Sequence, residues 1–136
     1  GDNRIRKEVA KCYSKNAIGT ALHSTSFISQ SVKIGEGTVV MACAAINTDT
    51  FIGNHVIINT SASVDHDCEI GDFAHIAPNA TLTGGIKVGE GSFIGAGSVI
   101  LPNLTIGKWC VIGAGSVVTK NVQDGTVVAG NPAKEM

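Results

Sequence analysis

From Leu22 onward every sixth residue is aliphatic: Ile28, Ile34, Val40, Ile46, Ile52, Ile58, Val64, Ile70, Ile76, Leu82, Val88, Ile94, Ile100, Ile106, Ile112 and Val118, with no step missed. A second column runs two residues ahead of the first and holds mostly small side chains, among them Thr38, Ala44, Ala62, Cys68, Ala74, Ala80, Ser92, Ser98, Cys110 and Ser116. The residue just after the aliphatic one is often glycine, as at Gly35, Gly53, Gly71, Gly89, Gly95, Gly107 and Gly113. A period of six fits no α-helix, whose faces recur every 3.6 residues. It fits short strands joined by tight corners. The two columns lie two residues apart, as inward positions of a strand do, and glycine is expected to free the corner. Three six-residue units close a triangular coil of eighteen. IGAGSVI (Ile94 to Ile100) and IGAGSVV (Ile112 to Val118) are then one corner met on successive coils. The pattern predicts a stacked β-solenoid from about Leu22 to Val118 with the aliphatic column inside.

The two ends leave this register. GDNRIRKEVAKCY reads as a helix capped by Asp2 or Asn3, with Ile5 and Val9 on one side. The expected organisation is a helical segment over 1–18, the β-helix over 19–121 and a tail over 122–136.

Composition narrows the function. The 136 residues carry a net charge of -1, so there is no basic excess to meet nucleic acid. No apolar run approaches the roughly 20 residues of a membrane span, and no signal-peptide pattern opens the sequence. The expectation is a cytoplasmic protein. With 17 Gly and only 4% aromatic residues, the interior is expected to be narrow. Cys12, Cys43, Cys68 and Cys110 lack metal-ligand spacing, and Cys68 and Cys110 fall in the small inward column as packing residues. No metal is expected: a β-helical carbonic anhydrase site needs a close histidine pair that His55, His66 and His75 do not supply.

Four histidines are the candidates for chemistry. His23 reads as structural and His55 as a solvated corner residue. His66 stands between Asp65 and Asp67 in VDHDC, at a corner just after the inward Val64. Two readings are open there: a solvated acidic turn, or a general base whose imidazole is tuned by a carboxylate. Gly84 falls one coil above His66, and Gly85 above Asp67, leaving room beside the ring and exposing backbone amides to an acyl oxygen. Gly84-Gly85 is equally a permissive turn. His75 precedes the inward Ile76, so it points outward from a strand. It lies half a coil from His66 and would meet it only across a subunit boundary. Trp109 is outward by register, at a subunit or adenine contact.

The six-residue register resembles the hexapeptide-repeat acyltransferases. Ile58 to Pro78, INTSASVDHDCEIGDFAHIAP, resembles the branch acting on bacterial sugars: sialic acid O-acetyltransferases and N-acetyltransferases of UDP-4-amino-sugars. The tail motif GNPAK resembles the segment that closes many members, which implies a complete C-terminus. The resemblance implies an all-β, left-handed parallel β-helix with a short N-terminal helix. In relatives, a nucleotide-sugar-binding domain stands ahead of that helix; its glycine-rich start is not in these 136 residues. The resemblance also implies acetyl-CoA as acetyl donor, a sugar as acceptor and a homotrimer with sites between subunits. The acceptor it implies is an amino group, or a hydroxyl, of a nucleotide-linked amino-sugar for surface glycan synthesis. His66 matches the base and Asp67 the residue that tunes it. His75, Gly84, Ala96 and Ala114 match cofactor contacts, Lys120 is a candidate for its phosphates, and Asn59 matches a residue near the substrate. Sialic acid O-acetylation and a non-catalytic trimeric core are the alternatives.

Overall fold

The computed structural model describes residues 2–13 and 18–136. One helix, α1 (Asn3–Cys12), precedes seventeen two-residue strands that run from β1 (Ala21–Leu22) to β17 (Val117–Val118), four residues apart. Within the stack each strand pairs in parallel with the strands eighteen residues before and after it. Ile76 lies between Ile58 and Ile94, Leu82 between Val64 and Ile100, and Val88 between Ile70 and Ile106. The result is three sheets, the faces of a left-handed parallel β-helix. The first face holds Ile57, His75 and Phe93 outward, the second Ser63, Thr81 and Val99, the third Glu69, Lys87 and Thr105. The first corner joins the first and second faces, the second corner joins the second and third, and the third corner returns to the first.

The predicted aliphatic column is the core. Ile46, Ile70 and Ile94 have no exposed surface, and each such side chain contributes about 1.5–3 kcal/mol over leaving it in water. The first coil is the exception: Leu22 is half exposed and Ile28 and Ile34 are only half-buried, because no coil lies beneath them. The small column is buried as well, Cys68 and Cys110 included. Its hydroxyls are satisfied between coils: Thr38 Oγ1 donates to the Gly53 carbonyl at 2.8 Å and accepts from the Val56 amide at 3.0 Å. At the far end β18 (Val127–Gly130) extends the first face and β19 (Ala133–Glu135) folds back against it. Val122 and Val128 close the core there, with Ala133 packed against it.

The corners differ from the sequence expectation. The left-handed backbone occurs at every sixth residue from Gly37 to Gly115, three positions after the aliphatic residue, and includes Phe73 (φ 58°) and Trp109 (φ 56°). The glycine directly after the aliphatic residue is not in that region. It is small because the next coil passes close: a Cβ on Gly89 would stand 2.6 Å from Gly107 and Lys108 backbone atoms.

Helix α1 also differs. Its Asp2 cap forms as expected, accepting from the amides of Arg4 at 2.8 Å and Ile5 at 3.0 Å. Yet Ile5 and Val9 face solvent, 64% and 51% exposed. The polar side packs on the third corner instead. Asn3 Nδ2 donates to the Gly91 carbonyl at 3.0 Å, and Arg6 donates to the carbonyls of His55 at 2.9 Å and Ala74 at 3.2 Å, and to that of Phe73. The solenoid fills its core from within and offers outward turn carbonyls rather than an apolar groove. Three helical residues advance about 4.5 Å, close to the roughly 4.7–4.9 Å between strands, so Asn3 and Arg6 meet carbonyls one coil apart. His55, expected to be solvated, stacks on Phe73 with centroids 5.0 Å apart. Trp109 lies beneath Arg4 and Lys7, each 5.3 Å from its ring. Residues 1 and 14–17 of the expected 1–18 segment lie outside the described residues.

Candidate active site

The predicted site residues fall into two groups on opposite edges of the second face. The first group stands on the second corner. VDHDC follows the strand Ser63–Val64, and the inward Val64 forces the next residues into the turn. His66 is exposed there. Its Nδ1 lies 2.7 Å from Asp67 Oδ2, and its amide donates to Asp65 Oδ1 at 2.9 Å. The Asp67 hydrogen bond, followed by the nearby Asp65 charge, raises the imidazole pKa above its ordinary value. With Nδ1 engaged by the carboxylate, Nε2 is the free nitrogen of the ring.

Gly84 stands directly over that nitrogen. A Cβ added at Gly84 would lie 2.6 Å from both Nε2 and Cε1 of His66. Only glycine leaves the space open. The Gly85 amide is already bonded to the His66 carbonyl at 2.9 Å, whereas the Gly84 amide makes no such turn bond among the described residues. Lys120 is exposed just after β17, at the top of the same corner.

The second group lies on the first face and first corner. His75 points out of its strand, as expected, but is only 7% exposed. Arg6 of α1 bonds the neighbouring carbonyls of Phe73 and Ala74, and Phe93 meets the His75 ring edge-on, centroids 5.1 Å apart. Burial, with the Arg6 charge adding to it, pushes the His75 pKa down to about 4, so the ring is neutral near pH 7. Asn59 Nδ2 sits 3.1 Å from His75 Nε2, while Asn59 Oδ1 accepts from the Thr60 amide at 2.8 Å. Nε2 is therefore the acceptor, and Nδ1 carries the proton. Nδ1 is buried with no partner among the described residues, an exception to the rule that buried donors are paired.

Ala96 and Ala114 are exposed on this same corner. Their neighbours Gly97 and Gly115 donate to the Pro78 and Ala96 carbonyls at 2.9 and 2.8 Å. Among the described residues the Ala96 and Ala114 amides make no such bond, and none lies within 4 Å of a Cβ built at Gly97 or Gly115. The corner thus presents bare donors about one strand spacing apart along an open edge. Gly84 does not share that edge. The three positions form one groove only if a second molecule brings its second corner to the first corner of this one. The sequence reading missed Asn47, whose Nδ2 donates to Asp65 Oδ1 at 2.9 Å from the coil below. Counting back eighteen from Asp65 would have found it.

The six-residue register matches the model of the bacterial transferase hexapeptide (six repeats) over residues 49–84 and 85–120. The chain belongs to that family. A search of curated proteins returned no match. Among solved structures, PerB from Caulobacter crescentus, in complex with CoA and GDP-perosamine, is 42% identical with a TM-score of 0.97, over 99% of this chain and 66% of that one. The acetyltransferase domain of PglB from Neisseria gonorrhoeae FA1090 is 39% identical with a TM-score of 0.96, over 99% of this chain and 67% of that one. A further structure of that domain holds acetyl coenzyme A. WeeI from Acinetobacter baumannii AYE is 31% identical with a TM-score of 0.85, over 99% of this chain and 67% of that one. The chain spans about two thirds of the length of these relatives. Among the described residues no helix is long and apolar enough to cross a membrane, and no cluster of metal-ligating side chains occurs.

Proposed function

We propose that the protein is an acetyl-CoA-dependent N-acetyltransferase acting on a nucleotide-linked amino sugar, with His66 as general base. One observation carries this reading: an imidazole whose Nδ1 is tied to Asp67 turns its free Nε2 into a gap that only glycine leaves open. The likeness to PerB and to the PglB domain supports the cofactor and acceptor class.

In this reading the acceptor amine attacks the thioester carbonyl carbon of acetyl-CoA. The C–N bond forms while His66 Nε2 takes the amine proton, and the C–S bond breaks to release coenzyme A as thiolate. The Gly84 amide meets the developing oxyanion. Asp67 fixes the imidazole and favours its protonated form as the proton arrives. The bare amides of Ala96 and Ala114 line up with the pantetheine arm, and Lys120 meets a phosphate. Asn59 and neutral His75 complete the first-corner half of the site. The amino sugar serves surface glycan synthesis, and the reaction runs in the cytoplasm.

The two halves call for a second copy. The outward residues between them, Phe27, Ala45, Ser63, Thr81, Val99 and Val117, carry no charge, whereas the third face bears Lys33, Glu69 and Lys87. A homotrimer that brings second corner to first corner assembles three complete sites.

The test is acetyl-CoA with GDP-perosamine and with UDP- and dTDP-linked 4-amino sugars, followed by thiol release and by mass of the sugar product. Acetyl transfer to the amine is expected for at least one acceptor. Failure of acetyl-CoA to bind in titration would leave a non-catalytic core. A monomer mass by light scattering at micromolar concentration would remove the shared site.

A further inference from the structure

His66 reaches Gly84 only because its turn holds one shape, and that turn is tied down from the coil below. Asp65 Oδ1 accepts two hydrogen bonds at 2.9 Å, one from the His66 amide and one from Asn47 Nδ2. Asn47 and Asp65 are eighteen residues apart, the same position on adjacent coils. A second tie lies alongside: Thr50 Oγ1 donates to the Asp65 carbonyl at 2.8 Å and accepts from the Cys68 amide at 3.3 Å. Asn47 and Asp65 are half-buried while His66 and Asp67 are exposed, so the fixed end of the turn is the Asp65 end. The two carboxylates beside His66 therefore divide the work. Asp67 holds the ring, and Asp65 holds the backbone that carries the ring.

We propose that Asn47 is a positioning residue for His66: it anchors Asp65 Oδ1, so that the same oxygen pins the His66 amide and sets the imidazole beneath Gly84. The inference rests on His66 being the base. Asn47 touches neither cofactor nor acceptor in this arrangement and acts only through Asp65. A half-buried aspartate can still swing among its rotamers, and without a second partner its hold on one amide is intermittent. With Asn47 in place, leaving that rotamer breaks two hydrogen bonds instead of one.

The position of the anchor and the charge of Asp65 are separable. Asn47→Ala removes the anchor and keeps the carboxylate. Asp65→Asn removes the charge and keeps an Oδ1 that can accept from both donors. Two readouts on the full chain apply: hydrogen exchange at the His66 amide, and turnover of acetyl-CoA with GDP-perosamine. Asn47→Ala is expected to speed exchange at His66 about fivefold, the factor set by one ordinary hydrogen bond. It is expected to lower kcat about tenfold, within the range a misplaced catalytic group costs, with KM for acetyl-CoA unchanged. Asp65→Asn is expected to keep the wild-type exchange rate. Should Ala loosen the coil as a whole, Asn47→Asp, of the same shape but without the donor, is expected to give the same two changes. Wild-type exchange at His66 in both Asn47 variants overturns the inference, and so does faster exchange with unchanged kcat. Wild-type turnover in His66→Ala overturns the base assignment instead, which keeps the two failures apart.

Discussion

Nδ1 of His66 lies 2.7 Å from Oδ2 of Asp67, so the ring is oriented by its own neighbour in the chain. This gives an order to the effects of substitution. His66→Ala is expected to lower kcat by about 10²–10⁴-fold, the usual contribution of a general base. Acetyl-CoA affinity should stay near wild type, because the bare amides that would hold the cofactor lie on the other corner. Asp67→Asn should cost less than His66→Ala, since an amide still holds the ring but no longer favours its charged form. Steady-state kinetics and acetyl-CoA titration check both.

Gly84→Ala is expected to abolish most turnover with little loss of stability. The added methyl would sit 2.6 Å from Nε2 and Cε1 of His66, and the exposed ring can move aside. Gly85→Ala should behave differently: its φ of +71° strains any Cβ, so it should lower Tm. Thermal melts beside kinetics separate the two. Equal Tm loss in both variants would mean that Gly84 is structural.

The pKa values of His66 and His75 are shifted in opposite directions. His66 must be neutral to accept a proton. Its pKa is raised by the Asp67 hydrogen bond and then the Asp65 charge, so the acid limb of kcat/KM should lie above pH 6.5. Asp67→Asn should move that limb down. The stability His66 gains from Asp67 is present below pH 6.5 and lost as pH rises through the raised value. For His75 the folded value is depressed to about 4 by burial, so the stability of its neutral form is present above pH 6.5 and lost as pH falls towards 4. His75→Gln should flatten the fall of Tm between pH 6.5 and 4. An unchanged slope would show that His75 does not titrate with unfolding.

Arg6→Ala should destabilise the protein by about 1–3 kcal/mol in urea, the range for losing hydrogen bonds from a charged donor to buried partners. Arg6 bonds the carbonyls of His55, Phe73 and Ala74. Trp109, beneath Arg4 and Lys7, should report the loosened helix in its fluorescence.

Much of this was legible in the six-residue step, and what was not had physical reasons. Ile46, Ile70 and Ile94 could be placed inside by counting, because a single column of aliphatic residues has one narrow interior to fill. His66 and Gly84 could be paired because eighteen residues make one coil. The same arithmetic separates Gly84 from Ala96, twelve residues on and therefore two corners away, and it locates Asn47 under Asp65. The glycines were read for their torsional freedom when their smallness was the point: Gly89 is set by the passage of Gly107. The orientation of α1 could not be read from Ile5 and Val9, since the partner it docks on is main chain, and main chain leaves no mark in composition.

That partnership has a further consequence. Asn3 and Arg6 grip carbonyl oxygens, which every residue possesses, so these hydrogen bonds do not depend on which side chains stand at 55 and 73. Length is the quantity under constraint. A residue inserted into any of these turns would move a carbonyl off the helical ruler, and α1 would then hold one coil only by letting go of the next.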